Sequence, residues 1–95
     1  MSTGYASIFN HHERAVFAAI AARAPAYPHL NDDETLGDIA CVALNRLPPR
    51  YIRHEVDFAF YLTDRERIDN ERAIAEAVTH AFEFVQARRA MRARA

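Results

Sequence analysis

Lysine and tryptophan are absent from this chain, cysteine occurs once and glycine twice. Each scarcity excludes a class of protein. A single thiol, Cys41, builds neither a disulfide framework nor a cysteine-based zinc site, and on its helix it falls among apolar neighbours, where a small core residue is expected. Two isolated glycines, Gly4 and Gly37, do not make a phosphate-cradling loop. No uninterrupted apolar run approaches the ~20 residues that cross a bilayer. The N-terminal MSTGYASIFNHHE also lacks a basic region followed by an apolar one. A soluble, cytoplasmic protein without membrane insertion is therefore expected. A net charge of −1 gives no overall attraction to DNA, RNA or an anionic surface, which argues against general nucleic-acid binding.

What is present is the composition of one compact, mainly α domain covering residues 1–95, with 51% apolar and 26% charged residues. A chain this short buries only about 60–65% of its unfolded surface, so association would help it. Every one of the 12 cations is arginine. A GC-rich coding sequence is one reading; the other is that arginine carries a planar fork of donors able to stack on a base and grip guanine or phosphate.

Residues 1–7 and 90–95 read as frayed tails. Asn10 followed by Glu13 fits a capping box that opens a first helix to about Arg23, with Val16, Phe17, Ile20 and Ala24 buried and Ile8 and Phe9 packed at its start. Pro25 ends it. His11 and His12 point about 100° apart on a helix with no second ligand pair near, so surface histidines are expected rather than a metal site. Asn31 to Glu34 supplies a cap and first-turn negative charge for a central helix over about 34–47.

In the segment 56–62, Val56, Phe58, Phe60 and Leu62 alternate with Asp57, Ala59 and Tyr61, the period of a half-buried strand. No second strand is evident in the chain, so the segment pairs with its twin in another subunit or serves as a connector; the extended reading is preferred. Thr63 and Glu66 form another capping box, opening a long helix to about Arg89, with an irregularity near Asp69-Asn70. Its first stripe is Ile74, Ala75, Val78, Ala81, Phe82 and Val85; a second runs through Ala73, Ala77, Phe84 and Met91. Together they exceed the ~100° that a surface helix buries, which suggests a homodimer. The alternative is that the first helix covers the second stripe. The arginines of the tail suit a helix C-terminus.

The densest window is DIACVALNRLPPRY, Asp38 to Tyr51. Leu36, Ile39, Ala40, Ala43, Leu44 and Leu47 recur at helical spacing, and Pro48-Pro49 must stop the helix, because proline lacks the amide hydrogen and restricts the residue before it. Asp38, Asn45 and Arg46 on the polar side, and Arg50, Tyr51 and Arg53 beyond the stop, make a candidate polar site. Solvated surface charge is the alternative for the same residues.

The run DIA.VALN.LPP.Y, followed by an aromatic segment and a long C-terminal helix, resembles the ComFB family of late competence development proteins, over roughly residues 8 to 87. The resemblance implies a small, mainly helical bacterial dimer without enzymatic activity, linked to competence, that acts as a cyclic dinucleotide receptor. Cyclic di-GMP is the first candidate ligand and cyclic di-AMP the second. Some family members carry a cysteine cluster that looks like a zinc site; with one cysteine, zinc is not carried over.

Guanine recognition needs arginine on O6 and N7, a carboxylate accepting from N1 and N2, and a plane to stack on. With the resemblance as guide, Arg46, Arg50 and Arg53 are candidates for the first, Asp38 for the second, and Tyr51 or Tyr61 for the third. No nucleophile motif or metal spacing points to catalysis, so no catalytic residue and no cofactor are expected. The competing class is a dimeric adaptor that presents the proline turn to a downstream protein and binds no nucleotide. If no metal is required, a strong chelator should leave the thermal midpoint unchanged; unfolding on chelation would refute that.

Overall fold

A computed structural model describes residues 3–94 and, at Asp57, the backbone alone. Among the described residues the fold is mainly α, with four α-helices, three 3-10 turns and one small antiparallel strand pair. Helix α1 spans Glu13–Arg23, α2 Asp33–Arg46, α3 Glu55–Tyr61 and α4 Asp64–Arg94; strands β1 (Phe9–Asn10) and β2 (Tyr51–Ile52) pair with Phe9 opposite Ile52 and Asn10 opposite Tyr51.

The helices start and stop where local chemistry dictates. Asn10 donates its backbone N–H to Glu13 Oε2 at 2.9 Å, the back-reaching half of the capping box. Asp32 accepts from the Thr35 N–H at 2.9 Å and from the Thr35 hydroxyl at 2.8 Å, satisfying free donors at the start of α2. Thr63 Oγ1 accepts from the Glu66 N–H at 3.1 Å ahead of α4. Leu47 takes an extended conformation (φ −95°, ψ 142°), as the residue before a proline must, and α2 ends there.

The core is built where α1 and α2 meet the middle of α4. Val16 and Ile20 from α1, Leu30 from the connecting turns, and Ile39, Ala43 and Leu47 around α2 enclose Ala77, Val78, Ala81, Phe82 and Val85. Tyr27 stacks on Phe82 with ring centroids 4.6 Å apart. Two arginines tie the layers at their edges. Arg23, at the end of α1, donates to Thr79 Oγ1 and, at 3.2 Å, to the Ala75 carbonyl. Arg89 donates to the His29 carbonyl at 2.9 Å and to Thr35 Oγ1, with Asp32 at 3.6 Å.

Several expectations need correction. Segment 56–62 is not extended: 55–61 form α3, with Phe58 donating its N–H to the His54 carbonyl at 3.3 Å. A helix satisfies its own backbone groups, whereas a strand of that length has no mate among the described residues. Alternation also misassigns the faces, since Phe58 and Leu62 are half-buried while Val56 and Phe60 are exposed. The strand mate does exist, at a different place: β2 pairs with β1 inside the chain, so nothing here is an orphan strand.

Phe17 and Ile8 are exposed, and Cys41 faces solvent rather than the core. Ala75 is also exposed. In the second stripe of α4, Ala77 is buried within its own chain and Ala73 half-buried, leaving Phe84 and Met91 outward. Helix α4 is continuous through Asp69-Asn70 and extends to Arg94, past the expected end near Arg89. Tyr5–Ser7 form a 3-10 turn within the segment expected to fray, and residues 1, 2 and 95 lie outside the described residues.

Phe82 is fully buried at the centre of the core. Phe82→Ala should lower unfolding free energy by about 3–5 kcal/mol, read from urea unfolding midpoints, through lost burial and the cavity it leaves.

Candidate functional site

The two prolines fix where Arg50 leaves α2, and the strand pair fixes where it goes. The Arg50 carbonyl accepts from the His11 N–H at 2.6 Å, and its N–H points at Asn10 Oδ1 at 3.4 Å. Asn10 is buried; the same Oδ1 accepts from the His12 N–H at 3.1 Å, so one side chain joins the start of α1 to the turn. The Arg50 guanidinium carbon then sits 4.6 Å from the centroid of the Phe58 ring, a cation–π contact that orients an exposed arginine. His11 packs on the same ring at 4.2 Å between centroids. A cavity of about 260 Å³ lies beneath, lined by His12, Pro48, Pro49, Arg50, Phe58 and Asn70 among others.

Arg53 is held from the other side. Its Nε donates to Ser7 Oγ at 3.0 Å, and Ser7 in turn donates to the Gly4 carbonyl at 2.7 Å. Gly4 has φ +86°, where a side chain is strained, and a β-carbon there would stand 3.5 Å from the Arg53 guanidinium. Two shallow grooves flank Arg53 and His54: one of about 300 Å³ bounded by Ile52, Phe58 and Tyr61, one of about 620 Å³ bounded by Phe9, Arg14, Glu55 and Val56. Arg14 and Glu55 pair at 3.2 Å across the second.

Of the residues singled out in the sequence, Arg50, Arg53 and Tyr61 come together around the turn and α3, with Tyr51 exposed on the strand between the two arginines. Asp38 does not join them, and Asn45 and Arg46 line neither groove. Asp38 lies nine residues before Leu47, roughly 13 Å along the helix axis. It lines a separate cleft of about 540 Å³ between α2 and the end of α4, with Arg88, Arg89 and Arg92 on the opposite wall. Asn45 and Arg46 are exposed near the end of α2.

Phe58, His11, His12 and Glu55 belong to this neighbourhood and were not singled out. The strand reading puts Phe58 in a sheet core, and helical spacing puts the histidines at the surface; instead Phe58 lies on α3, His12 is buried and His11 half-buried. Adjacent histidines directly before a helix, opposite an arginine-bearing turn, carry no periodic signal that would have marked them. Among the described residues, no group of three or more His, Cys, Asp or Glu side chains is placed to hold a metal ion, and no helix is long and apolar enough to cross a membrane.

Burial shapes the titration of both histidines. Loss of hydration pushes the His12 pKa down, the neighbouring His11 and Arg50 push the same way, and the Pro48 carbonyl opposes them. His11 is lowered by burial first, with Glu55 opposing and Arg50 assisting. Both Nδ1 atoms are buried without a hydrogen-bond partner, which a neutral imidazole tolerates better than a charged one.

The structure is thus a small helical domain whose central helix is halted by paired prolines, with arginines and aromatic rings gathered just past the halt. The chain belongs to the family described as late competence development protein ComFB, whose pattern it matches over residues 9–89. Neither a curated protein nor a solved structure matches it.

The lowered histidines predict a pH dependence of stability. A group whose folded pKa lies below its unfolded value of 6.5 is protonated first in the unfolded chain, so stability is fully present above that value and falls with pH below it. Urea midpoints should be flat from about pH 8 to 7 and decline from about pH 6.5 to 5. His12→Gln should flatten that decline; an unchanged slope would overturn the assignment.

Proposed function

We propose that the protein is a cyclic dinucleotide receptor, cyclic di-GMP before cyclic di-AMP, acting in the cytoplasm as a non-catalytic, homodimeric signalling adaptor with a downstream protein partner. The observation that carries this reading is the gathering of Arg50 and Arg53 with Phe58 and Tyr61 at and just past a proline-stopped turn, inside the span that matches the ComFB family. Arginine forks suit guanine edges and phosphates, and the aromatic rings offer stacking planes. The prolines and the strand pair hold the backbone before ligand arrives, which lowers the entropy lost on ordering the arginines.

Within this reading the residues divide into two groups. Arg50, Arg53, Tyr51 and Tyr61 are the ligand contacts, and Glu55, which borders the groove beside Arg53, takes the place of Asp38 as acceptor for guanine N1 and N2 hydrogens. Asp38 faces the separate cleft between α2 and the end of α4 and stands outside this group. The competing reading, a protein adaptor without nucleotide, draws on the exposed apolar residues of α3.

Thermal shift with cyclic di-GMP, cyclic di-AMP and linear dinucleotides separates the two. Ligand at a hundred times its Kd stabilises by about 2.7 kcal/mol, and silence across all of them favours the adaptor. By isothermal titration, Arg50→Ala should weaken binding roughly ten- to a hundredfold, equivalent to about 1.5–3 kcal/mol, and Arg50→Lys should restore little of it. Arg92→Ala, in the other cleft, should bind like wild type. Equal affinity of Arg50→Ala and wild type would remove the site from the turn.

A further inference from the structure

Building on the reading of the proline turn as the dinucleotide site, we infer that anion capture at Arg50 is coupled to proton uptake by His11. The site then grips a phosphodiester more firmly as its surroundings become acidic.

His11 is placed beside Arg50 by the backbone. Its N–H donates to the Arg50 carbonyl at 2.6 Å, which fixes the two residues side by side where α1 begins and the turn comes back. Their side chains then meet on one ring: the His11 imidazole lies 4.2 Å from the Phe58 centroid and the Arg50 guanidinium carbon 4.6 Å. Whichever faces of the ring they use, they are closer than the ~10 Å over which charges still act on each other in 0.1 M salt. Arg50 is exposed, so an anion can reach it. Once there, the anion lies within the field felt by His11, whether or not it touches the imidazole.

The charges around His11 are balanced so that such an anion decides the outcome. Among the described residues, the groups facing it are Glu55 on α3, Arg50 on the turn and His12 beside it in the chain. On its own helix, Glu13 is engaged by the Asn10 N–H and Arg14 by Glu55. Burial and Arg50 disfavour the imidazolium, while Glu55 favours it and is outweighed. The buried Nδ1 has no hydrogen-bond partner, so the empty site holds His11 neutral. An anion on Arg50 cancels the charge that opposes the proton and leaves Glu55 to favour it. Opposite charges within about 4–6 Å move a titration midpoint by 1–3 pH units, and a partly solvated pair moves it less, by about half a unit to one.

The ligand itself contributes no pH dependence, because a phosphodiester keeps one fixed negative charge near neutrality and arginine does not titrate there. Histidine changes charge between pH 5 and 8. His12 is buried, packs on His11 and faces the Pro48 carbonyl, whereas His11 shares the Phe58 ring with Arg50. His54 borders the grooves beside Arg53 rather than this ring. The sign follows from linkage. Ligand that raises the His11 midpoint is bound more tightly by the protonated protein, so affinity is flat well above neutral pH, rises as pH falls through the bound midpoint, and levels below the free one, which lies under 6.5.

In isothermal titration, cyclic di-GMP should bind wild type about three- to tenfold more tightly at pH 5.5 than at pH 7.5, with circular dichroism confirming the fold at both. Near pH 6.5 the binding enthalpy should vary with the ionisation enthalpy of the buffer, in the direction of proton uptake. His11→Gln should remove both effects, while His12→Gln and His54→Gln should keep them. By NMR, the His11 ring of ligand-free wild type should titrate below 6.5, and Arg50→Ala should raise that midpoint. Dimethyl phosphate, a phosphodiester that does not itself titrate in this range, should raise it in wild type but not in Arg50→Ala, and sodium chloride at equal ionic strength should not reproduce the change. An affinity that does not vary with pH, a slope that survives in His11→Gln, or one abolished by His12→Gln or His54→Gln instead would overturn the coupling. If cyclic di-GMP fails to bind while dimethyl phosphate still moves the His11 midpoint through Arg50, the coupling stands and the receptor reading falls.

Discussion

The paired prolines at 48 and 49 are the constraint on which the rest depends. Neither offers an amide hydrogen, so α2 cannot continue, and the residue before them is driven out of the helical region, as Leu47 shows. The chain therefore leaves the core at a fixed point with Leu47 still buried. From there Arg50, Tyr51 and Ile52 turn back against the start of α1, where two short strands close the loop. Moving the stop by one residue would turn Leu47 out of the core and carry Arg50 off the Phe58 ring.

The arginines divide by what they do. Arg23 and Arg89 are tied to backbone carbonyls and hydroxyls on neighbouring elements, and they hold α1, the connecting turns and α2 against α4. Their planar forks reach two acceptors from separate nitrogens, a fixed geometry that the single ammonium of a lysine lacks. Arg50 and Arg53 are held more loosely, one by a ring and one by a serine, so their forks retain donors for a ligand. The exposed pair of Arg14 with Glu55 adds at most about 1 kcal/mol and serves rather to locate α3.

Signals that act within a few residues were legible. The caps at Asp32 and Thr63, the proline stop, the buried stripe of α2 and the centre of the first stripe of α4 all depend on neighbours along the chain, and the structure has them. So was family membership, carried by the run from Asp38 to Tyr51. The apolar alternation of 56–62 misled because Phe58 and Leu62 satisfy a helical spacing of four as well as a strand spacing of two. Only a mating strand could have settled that in favour of β, and α3 has none among the described residues.

By itself, then, the sequence determined the helical class, the beginnings of the main helices, the proline-set ends of the first two, and a turn rich in arginine, because caps and prolines act through bonds only a few positions away. Tertiary structure alone decided which of those arginines meet. The contact between Asn10 and Arg50 spans 40 residues, and the contacts that pin Arg89 span 54 and 60. No local pattern encodes such pairings. They also decide that His12 is buried, that Cys41 faces solvent and that Asp38 opens onto a different cleft, since burial depends on what the remainder of the chain lays across a residue.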